Sequence, residues 1–202
     1  MFLVSKIEEV YAPAISDFVY ITDNAYTESE IRNMELKIIR ALEFDLCQPV
    51  SLNFLRRYSK AGDVDVLQHS LAKYVLETSL LDYNLASVPG SLLASGSLCL
   101  SLLLLEPSVS VDTVWNPTLS YYSGYSAESV LQLVAKLASN IVKMNRSSKL
   151  QAVRNKYKSG KFMKVADLGE LKSEKVVELA SALTKLARRK SQFQIYRRAG
   201  LH

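Results

Sequence analysis

From Thr27 to Leu42 the apolar positions fall at Ile31, Met34, Ile38, Ala41 and Leu42, the three-and-four spacing that gives a helix one buried face. Ahead of them, Thr27-Glu28-Ser29-Glu30 has the S/T-x-x-E form of a capping box, so a helix is predicted to start there and to stop before Pro49. The pattern then restarts. Leu52, Phe54 and Leu55 open a short helix ending near Gly62, and Leu67, Leu71, Tyr74, Val75, Thr78 and Leu81 mark another reaching about Tyr83. From about Pro89 to Leu105 nearly every position is apolar, as expected of a helix surrounded by others. Pro107 should close it, and Trp115-Asn116-Pro117-Thr118-Leu119 leads into a short aromatic helix.

Ser126 is placed to cap a longer helix whose buried stripe is Val130, Leu133, Val134, Leu137, Ile141 and Met144. Leu150 to Tyr157 can form one more short helix, stopped by Ser159-Gly160. Residues 161–172 read as extended or loop, Ser173 to about Arg189 as helix, and Lys190 to His202 as frayed. The longest alternating, strand-like string is Val19-Tyr20-Ile21-Thr22. The fold class expected is all-α.

Composition narrows the function. The apolar run Leu92 to Leu105 is shorter than the roughly 20 residues a membrane crossing needs. Lys6, Glu8 and Glu9 follow Met1-Phe2-Leu3-Val4 too closely for a signal-peptide core. Cys47 and Cys99 have no partner at metal-ligand spacing, and His69 and His202 are far apart, so no metal site or nucleophile–base pair is expected. No Gly-rich phosphate loop occurs either, and the chain does not read as an enzyme. Charge is uneven: residues 1–148 carry 11 Lys/Arg against 16 Asp/Glu, residues 149–202 carry 14 against 4. The basic end reads first as a solvated helix face, so nucleic-acid binding is not expected from it.

Several strings in order resemble the cyclin family, and within it the mitotic B-type (G2/M) cyclins. They are Lys6-Ile7-Glu8-Glu9-Val10-Tyr11-Ala12-Pro13, Asp17-Phe18-Val19-Tyr20-Ile21-Thr22-Asp23-Asn24-Ala25-Tyr26-Thr27 and Arg32-Asn33-Met34-Glu35. Leu52-Asn53-Phe54-Leu55-Arg56-Arg57, Leu71-Ala72-Lys73-Tyr74, Trp115-Asn116-Pro117-Thr118-Leu119 and Asn155-Lys156-Tyr157 continue the match to about residue 160. The resemblance implies tandem cyclin-box helical bundles: a partial N-terminal box over 1–47, a C-terminal box over 48–160, and a basic C-terminal extension over 161–202, partly helical and then disordered. Met1 falls at what looks like an internal methionine of the first box. The expectation is therefore a truncated form in which Ile31, Met34 and Ile38 are uncovered.

The implied function is that of a regulatory subunit, which binds and activates a cyclin-dependent kinase at the G2/M transition. That partner would form a heterodimer with the chain, in the nucleus and cytoplasm, with no cofactor, metal, small-molecule substrate or membrane. By motif, Lys6 and Glu35 match the family's lysine and glutamate that hydrogen-bond the kinase segment carrying its PSTAIRE helix. Glu8 lies in the same string as Lys6, and Ile7, Ile39 and Phe44 match positions that touch the kinase. Ile7 stands where the family usually has an aromatic, and a smaller side chain offers less apolar contact area. Two other readings are a cyclin-fold adaptor whose basic tail touches nucleic acid, with binding that weakens steeply in salt, and an inactive fragment.

Overall fold

The computed structural model describes residues 1–47, 49–106, 108–147 and 149–181. Every element among them is helical, in line with the all-α expectation. The chain divides into two compact units, Met1–Gln48 and the residues from Pro49 onward.

The first unit holds α1 (Phe2–Glu8), α2 (Ile15–Ile21) and α3 (Glu28–Ala41). Of the strand-like string Val19-Tyr20-Ile21-Thr22, the first three residues end α2 and Thr22 is its C-terminal cap. Alternation over so few residues fits one helical turn as well as a strand, and Asp17, accepting a hydrogen bond from the Ala14 amide at 2.9 Å, closes the first turn. The capping box of α3 forms as read. The Glu30 amide donates to Thr27 Oγ1 at 3.3 Å and the Thr27 amide donates to Glu30 Oε2 at 2.8 Å. That amide, with the Thr27 hydroxyl, holds the Glu30 carboxyl below its ordinary range.

The second unit contains α4 (Ser51–Ala61), α5 (Val66–Ser79), α6 (Gly90–Leu105), α7 (Val111–Val114), α8 (Pro117–Ser123), α9 (Ala127–Arg146) and α10 (Ala152–Tyr157). Helix α6 is the hub, packed against α4, α5 and α9, and Leu93 through Ser101 along it are all buried. The stripe read on α9 is buried from Val130 to Ile141, with Met144 half-buried. The Asn140 amide nitrogen of α9 donates to the Thr78 carbonyl of α5 at 3.0 Å, tying the two helices together.

Two local features differ from the sequence reading. Helix α7 is a single turn, too short to leave a period in the sequence. Residues 161–172, expected as extended or loop, instead form 3-10 turns at Gly160–Phe162, Val165–Asp167 and Gly169–Lys172. Their three-residue repeat escapes a search for the 3.6 period, yet Val165, Ala166 and Leu171 are core residues. The Asn145 side chain donates to the Leu171 carbonyl at 2.8 Å and pins the last turn to α9. Residues 174–181 are helical, and the rest of the helix expected to Arg189, with the stretch to His202, lies outside the described residues.

The two thiols should behave differently. Cys99 is fully buried in α6 and burial pushes its thiol up to about 12, whereas Cys47 is exposed. At neutral pH an aromatic disulfide reagent should titrate one thiol in the folded chain and the second only after denaturation. Prompt reaction of both would contradict this core.

His69 of α5 faces α4, its Nδ1 lying 2.8 Å from Ser59 Oγ. Burial, then the nearby charges of Lys73 and Arg56, lower its pKa from 6.5. The unfolded chain therefore takes up the proton first on acidification. The stabilising contribution is complete above pH 6.5 and is lost as pH falls through the lower folded value. Urea midpoints should decline below about pH 6.5 in wild type and less steeply in His69→Gln. Parallel declines would show that other groups carry the slope.

Candidate functional site

Lys6, Ile7 and Glu8 occupy the last turn of α1, and Glu35 and Ile39 lie four residues apart on α3. Lys6 sits at a helix C-terminus, where a cation is favoured by the exposed carbonyls. Its ammonium lies 4.1 Å from the centre of the Phe2 ring, one turn back. The Phe2 ring in turn packs edge-on against Phe18 of α2, with centroids 5.2 Å apart. An aromatic pair thus fixes the base of α1 and directs the lysine.

The structure brings the two charges together. Lys6 Nζ donates to both carboxylate oxygens of Glu35, at 2.8 and 3.0 Å. The Lys6 side chain is 42% exposed and that of Glu35 only 14%. An ion pair with one exposed partner is worth about 0–1 kcal/mol. It is strong enough to orient both groups and weak enough to be exchanged for hydrogen bonds to another molecule.

The apolar candidates differ in exposure. Ile7 is 48% exposed, Ile39 is half-buried and Phe44 is 71% exposed. Glu8 is exposed at the end of α1. Phe44 owes its position to the backbone: Glu43 and Phe44 both adopt left-handed conformations, with φ of +50° and +63°. The chain reverses there and the Phe44 amide donates to the Ile39 carbonyl at 3.0 Å. A left-handed phenylalanine costs about 1–2 kcal/mol, and here it leaves a large ring in solvent.

A groove of about 630 Å³ opens beside the pair, lined by Phe2, Leu3, Phe18, Ile31, Met34 and Ile38 among others. Met34 and Ile38 are 54% and 41% exposed and Ile31 is half-buried, so the apolar stripe of α3 is not the buried face that its spacing predicts. The sequence gives no sign of this groove, because only folding brings Phe2 and Leu3 of α1 beside Phe18 of α2 and the stripe of α3. No set of His, Cys, Asp or Glu side chains among the described residues could hold a metal ion, and no described helix is long and apolar enough to cross a membrane. The arrangement is suited to protein recognition: a polar centre with exposed and half-buried apolar side chains beside it.

A family model described as "Cyclin, C-terminal domain" matches residues 49–171, and another, "Cyclin, N-terminal domain", matches residues 1–47. The chain is 46% identical over 179 residues to G2/mitotic-specific cyclin-B of Patella vulgata, covering 89% of this chain and 42% of that protein. It is 46% identical over 184 residues to G2/mitotic-specific cyclin-B2 of Homo sapiens, covering 91% and 45%. A third relative, G2/mitotic-specific cyclin-B of Spisula solidissima, is 47% identical over 182 residues, covering 90% and 41%. The chain spans less than half the length of these curated relatives.

Proposed function

The chain belongs to the cyclin family, and from that membership we propose that it is a B-type mitotic regulator that binds a cyclin-dependent kinase through α1 and α3 of its first unit. The observation that carries the reading is the Lys6–Glu35 pair, two residues 29 apart in sequence that meet at 2.8 Å. One supplies ammonium donors and the other carboxylate acceptors, so a partner's backbone can be gripped at both its carbonyls and its amides. Such charge-assisted bonds are roughly twice as strong as neutral ones and fix the register of the bound segment. Ile7, Ile39 and Phe44 add apolar area around them, and Glu8 a charge at the rim.

The proposed action is allosteric, and the chain itself performs no chemistry. Docking holds the kinase's movable helix inward, so that its glutamate pairs with the lysine that positions the ATP phosphates, and helps open the activation loop. The cyclin favours this state by binding it more tightly than the inactive one. We place this action at the G2/M transition, in the nucleus and cytoplasm.

A direct test mixes the full chain with a purified cyclin-dependent kinase, and follows co-precipitation together with phosphorylation of a histone substrate. Capture of the kinase and a rise in phosphorylation are expected. If the chain fails to capture a kinase that one of its B-type cyclin relatives captures in parallel, the proposal is overturned for this chain.

A further inference from the structure

Residues 152–164 contain Arg154, Lys156, Lys158, Lys161 and Lys164 and no acidic residue. In the fold two of these cations, Lys156 and Lys161, gather with Lys73 of α5. The ammonium groups of Lys73, Lys156 and Lys161 lie 5.4, 5.6 and 6.0 Å from the centre of a single ring, Phe162. That ring is held from below: its centroid is 4.7 Å from Tyr157, a fully buried side chain whose hydroxyl donates to Glu77 at 2.6 Å. The two rings, tilted 39° to each other, form a fixed pedestal, and attraction between each ammonium and the ring face limits where the flexible lysines go.

Glu77 neutralises only Lys156, at 2.8 Å. Among the described residues, Lys73, Lys158, Lys161 and Lys164 have no carboxylate within ion-pair distance. Positive charges gathered in this way repel one another and raise the local concentration of anions. We propose that this lysine face of α10 and the following turn binds an acidic segment of a partner protein, a run of Asp and Glu side chains in extended conformation. Alternate residues of an extended chain project to one side about 7 Å apart, which suits a compact group of ammoniums.

A nucleic acid is the less favoured occupant. Binding of single strands uses exposed aromatic faces on which bases stack, whereas Phe162 is half-buried and already covered by Tyr157 and the lysines. The face belongs to the second unit and involves neither Lys6 nor Glu35, so it stands apart from the kinase proposal.

The test uses the full chain and a fluorescein-labelled peptide alternating Ser with Asp or Glu, with fluorescence anisotropy as readout. The acidic peptide should bind at low salt and weaken as salt rises. Its Asn/Gln counterpart should not bind. The double variant Lys73→Glu, Lys161→Glu should lose about tenfold or more in affinity, while Lys136→Glu on α9 leaves it unchanged. Thermal melts of the variants should stay close to wild type, since Lys136 and Lys161 are exposed and Lys73 is only half-buried. Absence of binding at low salt, equal binding of the amide peptide, or indifference to the double charge reversal would overturn the proposal. So would tighter binding of a DNA duplex of equal charge, which would assign the face to nucleic acid.

Discussion

Replacing Gly96 by leucine should strongly destabilise the second unit. Gly96 lies midway along α6, facing Leu133 and Leu137 of α9. A Cβ built there would sit 2.8 Å from Leu133 Cδ2, 3.0 Å from Leu133 Cγ and 3.0 Å from Leu137 Cδ1. Real carbon contacts do not approach so near, and both leucines are themselves buried. Alanine is a contest between two effects. Removing a glycine from a helix interior gains about 1 kcal/mol, and overpacking a close-packed core costs about 1–3 kcal/mol. Gly96→Ala should therefore be mildly destabilising, by about 0–2 kcal/mol. Leucine adds three more carbons to the same space, and its penalty should exceed about 3 kcal/mol, a large share of the 5–15 kcal/mol that stabilises a typical domain. Urea unfolding followed by far-ultraviolet circular dichroism reads this directly. A Gly96→Leu variant with the wild-type midpoint would show that α6 and α9 do not pack as closely as described.

Removing either member of the Lys6–Glu35 pair should weaken kinase binding far more than it weakens the fold. Hydrogen bonds involving a charged group contribute about 1.5–3 kcal/mol, so Lys6→Ala or Glu35→Ala should reduce affinity about ten- to a hundredfold. The same changes should alter stability by less than about 1 kcal/mol, since Lys6 is well exposed. The double variant separates two meanings of the pair. If each residue contacts the kinase, the two losses add. If the residues merely brace each other, the double variant is no worse than either single one. Surface-bound kinase titrated with the four proteins supplies the comparison, and unchanged affinity in both single variants would remove the pair from the binding face.

Much of the fold was legible because it rests on long periodic segments and local caps. Thr27 and Glu30 announce α3, Ser126 announces α9, and the continuous apolar run from Leu92 to Leu105 announces the central helix. What escaped is short. One turn of helix at Val111–Val114 and the 3-10 turns after Ser159 have no period to detect, although Leu171 and Val165 complete the core. The string Val19 to Ile21 alternates like a strand and folds as helix because its neighbours cap it.

The candidate site was legible in a different way. Nothing in the spacing of Lys6 and Glu35 announces a partnership across 29 residues; the resemblance singled them out, and only the fold places one against the other. The lysine face around Phe162 is a mixed case. Its charges are plain in the sequence, but the ring that gathers Lys73 from α5 with Lys156 and Lys161 is a product of tertiary packing.

All fully buried side chains among the described residues lie beyond Pro49; α1, α2 and α3 have none. The heat capacity change and the denaturant dependence of unfolding both scale with the surface removed from water. A calorimetric or urea transition measured on this chain will therefore have the amplitude of a shorter protein, and will be nearly blind to the residues that carry the Lys6–Glu35 pair. Amide hydrogen exchange should divide the molecule at the same place, fast before Pro49 and slow along α6.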